Sequence, residues 1–292
     1  MPRHPTAPAA SEVLQVGLIG AGIQRSRSPR MHREEAASQG FALRYALFDL
    51  DEERDGAAAL PRLLEQAEQA GFAGLNITYP CKQHVLPLLD TLSEDAARLN
   101  SVNTVLFQGG RRAGHNTDWW GFAESVRRGL PLADLTRVVL VGAGGAGAAV
   151  AYAALQLGAK TLLVHDSDAA RSTTLVERLQ PLFPDRSLCC AVDLPADLRA
   201  ASGLIHATPT GMAKTPGLAV PADSVRPPLW VAEVVYVPLE TQLLALARDR
   251  GCRVLSGGGM AVLQAAQAFA LFTGRTPDVE RMLGRFAYQD AP

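Results

Sequence analysis

The chain predicts a two-domain α/β protein, and three observations carry that prediction. Its 292 residues exceed the size at which a single hydrophobic core usually keeps growing. Short apolar runs alternate with helix-prone stretches, the pattern of βαβ units around a parallel sheet with right-handed crossovers. Midway along, the glycine-rich segment Gly142-Ala143-Gly144-Gly145-Ala146-Gly147 follows an apolar run directly and opens a helix, which marks the second domain as Rossmann-type.

The elements follow in order. Residues 13–19 form an apolar run that ends in Gly20 and Gly22, then Ser26-Arg27-Ser28-Pro29 leads into a helix-like stretch at 30–39. Residues 42–50 and 72–77 read as strands around a helix at 57–70, which carries Leu60, Leu63, Leu64 and Ala67 on one face. Short helical patches follow through Leu89 and again at 93–99, where Ser93 is the N-cap. Residues 103–107 and 112–115 flank Gly109-Gly110, a hairpin signal. The first domain, parallel or mixed in its sheet, is therefore expected at 12–118.

A helix at 119–129 and a linker at 131–136 lead into the second domain, expected at 119–260. Its strands read as 137–141, 161–164, 204–206 and 231–236, with a helix at 146–157. The last helix pattern, 261–272, is expected to pack back on the first domain, which would then include 261–292.

Composition narrows the function. A net charge of -1 provides no basic field for a phosphate backbone, so nucleic acid is not an expected partner. No run reaches the roughly 18 apolar residues of a membrane span. Residues 1–11 lack an apolar core segment and read as a frayed tail rather than a signal peptide. Cys81, Cys189, Cys190 and Cys252 show neither CxxC nor metal-ligand spacing, so reduced thiols in a cytoplasmic protein are expected. Cys189 and Cys190 read as inert, and Cys81, beside Lys82, as a site sensitive to thiol reagents.

The glycine segment has a mechanical reading. Gly142 permits the tight turn, Gly144 lets a pyrophosphate approach the backbone, and Gly147 allows close helix–strand packing, with the helix N-terminus facing the anion. Asp166 follows the next strand, about 20 residues on, where an acid accepts a hydrogen bond from a ribose 2′-hydroxyl and repels a 2′-phosphate. NAD is therefore favoured over NADP, although Arg171 could favour a phosphate and Asp166 could simply be a solvated strand-end residue. No metal site is expected, since His115 has no companion ligand at suitable spacing. Trp119 and Trp120 read as helix and interdomain packing.

Two polar motifs carry the chemistry: Asn76-Ile77-Thr78-Tyr79-Pro80-Cys81-Lys82 and Asn116-Thr117-Asp118. Together they suggest Lys82 and Asp118 as a proton-transfer pair on a polyhydroxylated substrate. The plain alternatives are a surface lysine and a helix N-cap.

These segments resemble the shikimate dehydrogenase family, most closely its NAD-dependent quinate/shikimate branch. The similarity runs through Ser26-Arg27-Ser28-Pro29 with His32, the two polar motifs, Val102-Asn103-Thr104-Val105, Gly121-Phe122 and the glycine loop. It continues in Ala207-Thr208-Pro209-Thr210-Gly211-Met212, Val235-Tyr236-Val237-Pro238 and Gln264. The resemblance implies that Ser26 and Ser28 hold a substrate carboxylate, while Thr78, Lys82, Asn103, Asp118 and Gln264 surround the ring hydroxyls. Tyr236 would lie near both ligands, and Thr208, Pro209, Met212, Val235, Gly258 and Met260 on the nicotinamide side.

Departures from the family pattern are Arg25 in place of histidine, His165-Asp166-Ser167 in place of the Asn-Arg-Thr of NADP users, Glu233 in place of aspartate, and Asn100-Ser101 in place of a small pair. Ser28 stands where the quinate branch often has threonine, which favours shikimate. The implied reaction is reversible oxidation of shikimate to 3-dehydroshikimate, with quinate as a second substrate and NAD as cofactor. A homodimer is the assembly that the resemblance allows. The rival readings are an aminoshikimate-type dehydrogenase and a nucleotide-binding redox sensor without turnover.

Overall fold

The computed structural model describes residues 13–288, so the tail expected at 1–11 lies outside the described residues. Within them the chain divides into two compact units, one of residues up to 117 joined by 264 onward, the other of residues 118–263. Asp118 and residues 261–263 thus fall in the second unit.

The first unit begins β1 (Leu14–Gly20), α1 (Ser28–Ser38), β2 (Leu43–Asp49), α2 (Leu60–Gln69), β3 (Gly74–Ile77) and α3 (Cys81–His84). It continues with β4 (Thr91–Leu92), α4 (Glu94–Leu99), β5 (Thr104–Gln108) and β6 (Arg111–His115). The strands form one sheet in the order β2-β1-β3-β5-β6-β4. β1 pairs parallel with β2 and β3, while β5 runs antiparallel to both β3 and β6, so the sheet is mixed.

Strand alternation assigns the two faces of this sheet. Ile19, Leu75, Ile77 and Val105 join Leu60, Leu63, Leu64 and Ala67 of α2 in one core cluster, the helix contributing the i, i+3, i+4, i+7 stripe of an amphipathic surface helix. Val16, Leu18 and Leu106 belong to the opposite cluster.

The second unit contains α5 (Asp118–Gly129), β7 (Arg137–Val141), α6 (Gly145–Leu157), β8 (Thr161–His165), α7 (Ala169–Leu179) and β9 (Ser187–Cys190). After these come α8 (Leu194–Arg199), β10 (Gly203–His206), β11 (Trp230–Glu233), α9 (Gln242–Asp249) and β12 (Val254–Leu255). All six strands are parallel, in the order β12-β11-β10-β7-β8-β9. Strand order reverses between β7 and β10, and the carboxyl ends at such a switch point are where open α/β sheets bind ligands.

Helix α10 (Gly258–Thr273) starts in the second unit, and from Gln264 onward it belongs to the first. There Ala268, Phe269 and Phe272 complete the cluster around Val16 and Leu18. Helix α11 (Val279–Tyr288) is tied to α1 by a bidentate pair, Arg281 donating from Nη2 and Nε to the buried Glu35 carboxylate at 2.7 and 3.1 Å. Among the described residues no helix is long and apolar enough to cross a membrane.

One strand is shorter than its sequence pattern suggests. The run at 231–236 leaves the sheet after Glu233; Val234 N donates to His206 O at 2.9 Å as a last rung, and Val235 and Tyr236 lie in the following loop. The neighbouring β12 supplies only Val254 and Leu255, so nothing continues the ladder on that side. Elements α7, β9, α8, α9 and α11 occupy stretches where the patterns above specify none.

Candidate active site

In the first unit the site is assembled where β1, β2 and β3 end. Asp49, the last residue of β2, accepts from Gly22 N at 2.9 Å, Ile23 N at 3.1 Å and Asp51 N at 3.1 Å. Burial acts to raise its pKa, but the N–H groups of Asp51, Gly22 and Ile23 outweigh this and hold the carboxyl below its ordinary value. The loop pinned in this way leads to Ser26, whose N–H reaches Ile23 O at 2.9 Å and whose Oγ accepts from Ser28 N at 3.3 Å. Ser26 and Ser28 therefore stand together at the N-terminus of α1, where hydroxyls and the helix dipole both suit an anion.

A buried line of hydrogen bonds runs from Ser28 across the sheet. Ser28 is bonded to the Tyr45 side chain, and the Tyr45 hydroxyl donates to Asn76 Oδ1 at 2.8 Å. Asn76 Nδ2 donates to Thr104 Oγ1 at 3.1 Å, and Thr104 Oγ1 donates to Asn103 Oδ1 at 3.1 Å. Asn103 then takes hold of Thr117, with Nδ2 donating to its Oγ1 at 2.9 Å and Oδ1 accepting from its N at 2.8 Å. Asp118, the next residue, is buried at the start of α5. Lys82, half-buried in α3, accepts Val102 N on its carbonyl at 2.9 Å, directly beside Asn103.

Thr78 is held closely too: a Cβ on Gly20 would come within 2.2 Å of Thr78 Cγ2, so β1 can end there only in glycine. His32 is fully buried against the rings of Tyr45, Phe269 and Phe272 at 5.1, 6.0 and 5.8 Å. Neither of its ring nitrogens has a hydrogen-bond partner, and burial pushes its pKa down to about 3. Cys81 corrects the expected thiol sensitivity. It is fully buried, and burial pushes its pKa up to about 11, which leaves little nucleophilic thiolate.

In the second unit, the glycine loop turns from β7 into α6. Gly142 has φ 106°, and its N–H bonds His165 O at 2.8 Å. A Cβ on Gly147 would lie 2.0 Å from Gly142 O, whereas a Cβ on Gly144 would meet nothing within 4 Å. Gly147 is thus required by packing, and Gly144 leaves open space at the helix N-terminus. Gly145 is exposed and Ala146 half-buried in the first turn of α6.

Asp166 faces this loop. Its Oδ2 accepts from Ala143 N at 2.7 Å and its Oδ1 from Asp168 N at 3.0 Å, and the residue remains partly exposed. Arg171, exposed, pairs with Asp168 Oδ2 at 3.5 Å. Thr208 packs on the glycine loop, since a Cβ on Gly142 would lie 2.9 Å from Thr208 Cγ2. Pro209 and Met212 are exposed, Val235, Gly258 and Met260 are buried, and Tyr236 is half-buried.

The chain thus gathers Ser26, Ser28, Thr78, Lys82 and Asn103, with the half-buried Gln264, in the first unit, and Asp118, Tyr236 and the cofactor candidates in the second. Sequence reasoning missed Asp49, Tyr45 and Thr104. A signal for Asp49 existed: Asp49-Leu50-Asp51 repeats the spacing of Asp166-Ser167-Asp168, and both first acids tie the preceding strand's loop. His115 lies half-buried in β6, and among the described residues no group of three His, Cys, Asp or Glu side chains is arranged to hold a metal. Trp119 stacks edge-on against Tyr152 of α6 at 5.3 Å.

Comparison with known proteins agrees over most of the chain. Residues 18–105 match the family model for the shikimate dehydrogenase substrate binding domain, and 257–284 that for the shikimate 5'-dehydrogenase C-terminal domain. A Streptomyces avermitilis protein named shikimate dehydrogenase (NADP(+)) is 54% identical over 93% of this chain and 94% of its own. A Corynebacterium efficiens quinate/shikimate dehydrogenase (NAD(+)) is 47% identical over 93% and 96%. The structure of quinate dehydrogenase from Corynebacterium glutamicum in complex with NAD superposes with a TM-score of 0.90 at 43% identity, covering 94% of this chain and 99% of that one. The chain belongs to the shikimate dehydrogenase family of NAD(P)-dependent oxidoreductases acting on a CH–OH group.

Proposed function

We propose that the protein catalyses the reversible oxidation of shikimate to 3-dehydroshikimate, with quinate to 3-dehydroquinate as a second reaction of the same site, using NAD in preference to NADP. The observation that carries the reading is the buried hydrogen-bond line from Ser28 to Thr117, which links an anion-binding helix start to the residue before Asp118. A hydroxylated ring bearing a carboxylate suits both ends of that line.

Bound NAD supplies the hydride acceptor. Ser26, Ser28 and the N-terminus of α1 hold the carboxylate, and Thr78, Asn103 and Gln264 orient the ring hydroxyls. Lys82 takes the hydroxyl proton as the carbon–hydrogen bond breaks, with Asp118 as the second member of the acid–base pair, and the proton passes finally to water. The first unit supplies the substrate surface and the second the dinucleotide surface. Four free thiols suit a reducing, cytoplasmic setting.

Cofactor choice rests on Asp166. Each of its oxygens is fixed by a backbone N–H yet retains a lone pair for a ribose 2′-hydroxyl, while a 2′-phosphate would face the charges of Asp166 and Asp168. Arg171, the nearby cation, is already paired with Asp168. Steady-state kinetics with shikimate and quinate against NAD+ and NADP+ test both claims. A preference for NAD+ of at least about tenfold in kcat/KM, equivalent to about 1.4 kcal/mol, is expected. Equal or better use of NADP+ would overturn the cofactor assignment, and absence of turnover with either acid would overturn the activity.

A further inference from the structure

Helix α1 begins at an arginine. Arg27 is its N-cap, and the Arg27 carbonyl accepts from Arg30 N at 3.2 Å and Met31 N at 3.1 Å. An arginine side chain carries only donors, so it cannot cap the free N–H groups of the first turn. No side chain caps α1, and no acid stands in that turn. The arginine charge is also repelled by the positive end of the helix dipole. Both features disfavour the helix start by itself, and both suit it to an anion.

The arginine is held from the other end of the first unit. Its Cζ lies 4.8 Å from the centroid of the Phe286 ring in α11, a cation–π stack whose ring is only 5% exposed. Phe286 follows Met282 by one helical turn, so both face α1, and with Met31 they line the narrow crevice between the two helices.

The rest of the C-terminal segment fixes that ring in place. Besides the Arg281 pair, the buried Glu35 carboxylate accepts from Asp278 N at 2.9 Å. Arg285 Nη1 donates to Glu34 O at 3.0 Å, and Gln39 Nε2 donates to Glu35 Oε1 at 2.8 Å and to Thr276 O at 3.0 Å. Residues 276–286 thus follow α1 from its last turn to its first. Arg27 separates Ser26 from Ser28, so whatever holds its side chain also holds the turn between the two hydroxyls, in which Ser26 Oγ accepts from Ser28 N at 3.3 Å.

We propose that Phe286 and Arg27 are positioning residues of the substrate site: the α11 ring, through the stacked arginine, keeps the turn at Ser26 and Ser28 in the form that receives a carboxylate. The inference rests on the reading of this turn as the carboxylate site. Neither residue touches a reacting atom. The consequence is that α11, which contributes no group to proton or hydride transfer, sets how tightly the acid is held and not how fast it reacts.

The test compares wild type with Phe286→Leu, which removes the ring and keeps the bulk, and with Arg27→Met, which keeps the stem and removes the charge. A third variant, Phe286→Tyr, restores an aromatic face. KM and kcat for shikimate are measured at saturating NAD+, together with the inhibition constant of shikimate methyl ester, which lacks the carboxylate charge. Melting temperature and ADP-ribose affinity report the fold. In Phe286→Leu and Arg27→Met the KM should rise about fivefold to tenfold, the scale of one displaced hydrogen bond. Turnover should stay within about twofold of wild type, the pattern of lost ground-state binding. The inhibition constant of the ester should be unchanged, and Phe286→Tyr should behave as wild type. An unaltered KM in folded Phe286→Leu and Arg27→Met, or an ester constant that rises in step with it, overturns the inference. Absence of shikimate turnover by wild type would instead overturn the reading of the site, and with it this inference.

Discussion

Asn103 grips Thr117 with both ends of its amide, donating to the threonine hydroxyl at 2.9 Å and accepting the threonine N–H at 2.8 Å. One residue before Asn103, the Val102 N–H is bonded to the Lys82 carbonyl; one residue after Thr117 comes Asp118. The buried Asn103 amide thus fixes the backbone one residue before Asp118, and the residue before Asn103 is tied to the backbone of Lys82, which is why a side chain without acid–base chemistry should matter to turnover.

Asn103→Leu removes that grip while keeping the volume. The Thr117 N–H and hydroxyl lose a buried partner, so unfolding in urea should show a loss of about 2–3 kcal/mol. Turnover of shikimate should fall at least about tenfold, with ADP-ribose binding unchanged. Normal turnover in this variant would show that the Asn103–Thr117 tie does not organise the site.

Two glycines of one loop should answer differently to the same substitution. Gly147→Ala sets a Cβ against Gly142 O and should destabilise the second unit by about 1–3 kcal/mol. Gly144 has φ -74° and an open Cβ position, so Gly144→Ala should leave the melting temperature unchanged and still weaken NAD+ binding by at least about tenfold, because the methyl occupies the space a pyrophosphate needs. Undiminished NAD+ affinity in Gly144→Ala would mean that no phosphate approaches there.

Much of this was legible in the chain, and the gaps have physical causes. Residues 137–141 read as a strand because the central position of β7 buries both faces and demands a continuous apolar run. The α2 stripe and the Ser93 cap, which accepts from Ala96 N at 3.3 Å, announced themselves by spacing. By contrast, β9 lies at a sheet edge, where only Leu188 of its four residues is buried, so no periodicity marked it. The line through Tyr45, Asn76 and Thr104 joins strands far apart in sequence, and pairings of that kind leave no local signal. The buried pair His206 and Glu233 came together for the same reason, through register rather than proximity in the chain.

His32 gives a pH prediction with a definite sign. Its folded-state pKa of about 3 lies below the unfolded value of 6.5, so the unfolded chain takes up a proton that the folded one refuses. This contribution to stability is full above pH 6.5 and is lost as the pH falls toward 3, at up to about 1.4 kcal/mol per unit. Chemical denaturation between neutral pH and the onset of carboxylate titration should show that decline, and His32→Leu should reduce it. Because both ring nitrogens lack partners, the leucine variant should be no less stable at neutral pH. An unchanged slope would contradict a neutral buried imidazole.

Thiol reagents should distinguish the cysteines. Cys189, which its sequence position alone suggested was inert, is exposed, and Cys81 is buried, so mass spectrometry after brief treatment with iodoacetamide should find label on Cys189 and none on Cys81, with turnover retained. Rapid labelling of Cys81 would contradict the packing of α3.

Lys82 is proposed to move the proton while hydride passes to the nicotinamide. The most direct test is kcat for shikimate oxidation in Lys82→Ala, measured at saturating NAD+ with ADP-ribose affinity as the control for folding. A fall of at least about a hundredfold is expected, with that affinity intact; turnover within a few-fold of wild type would show that Lys82 does not carry the proton.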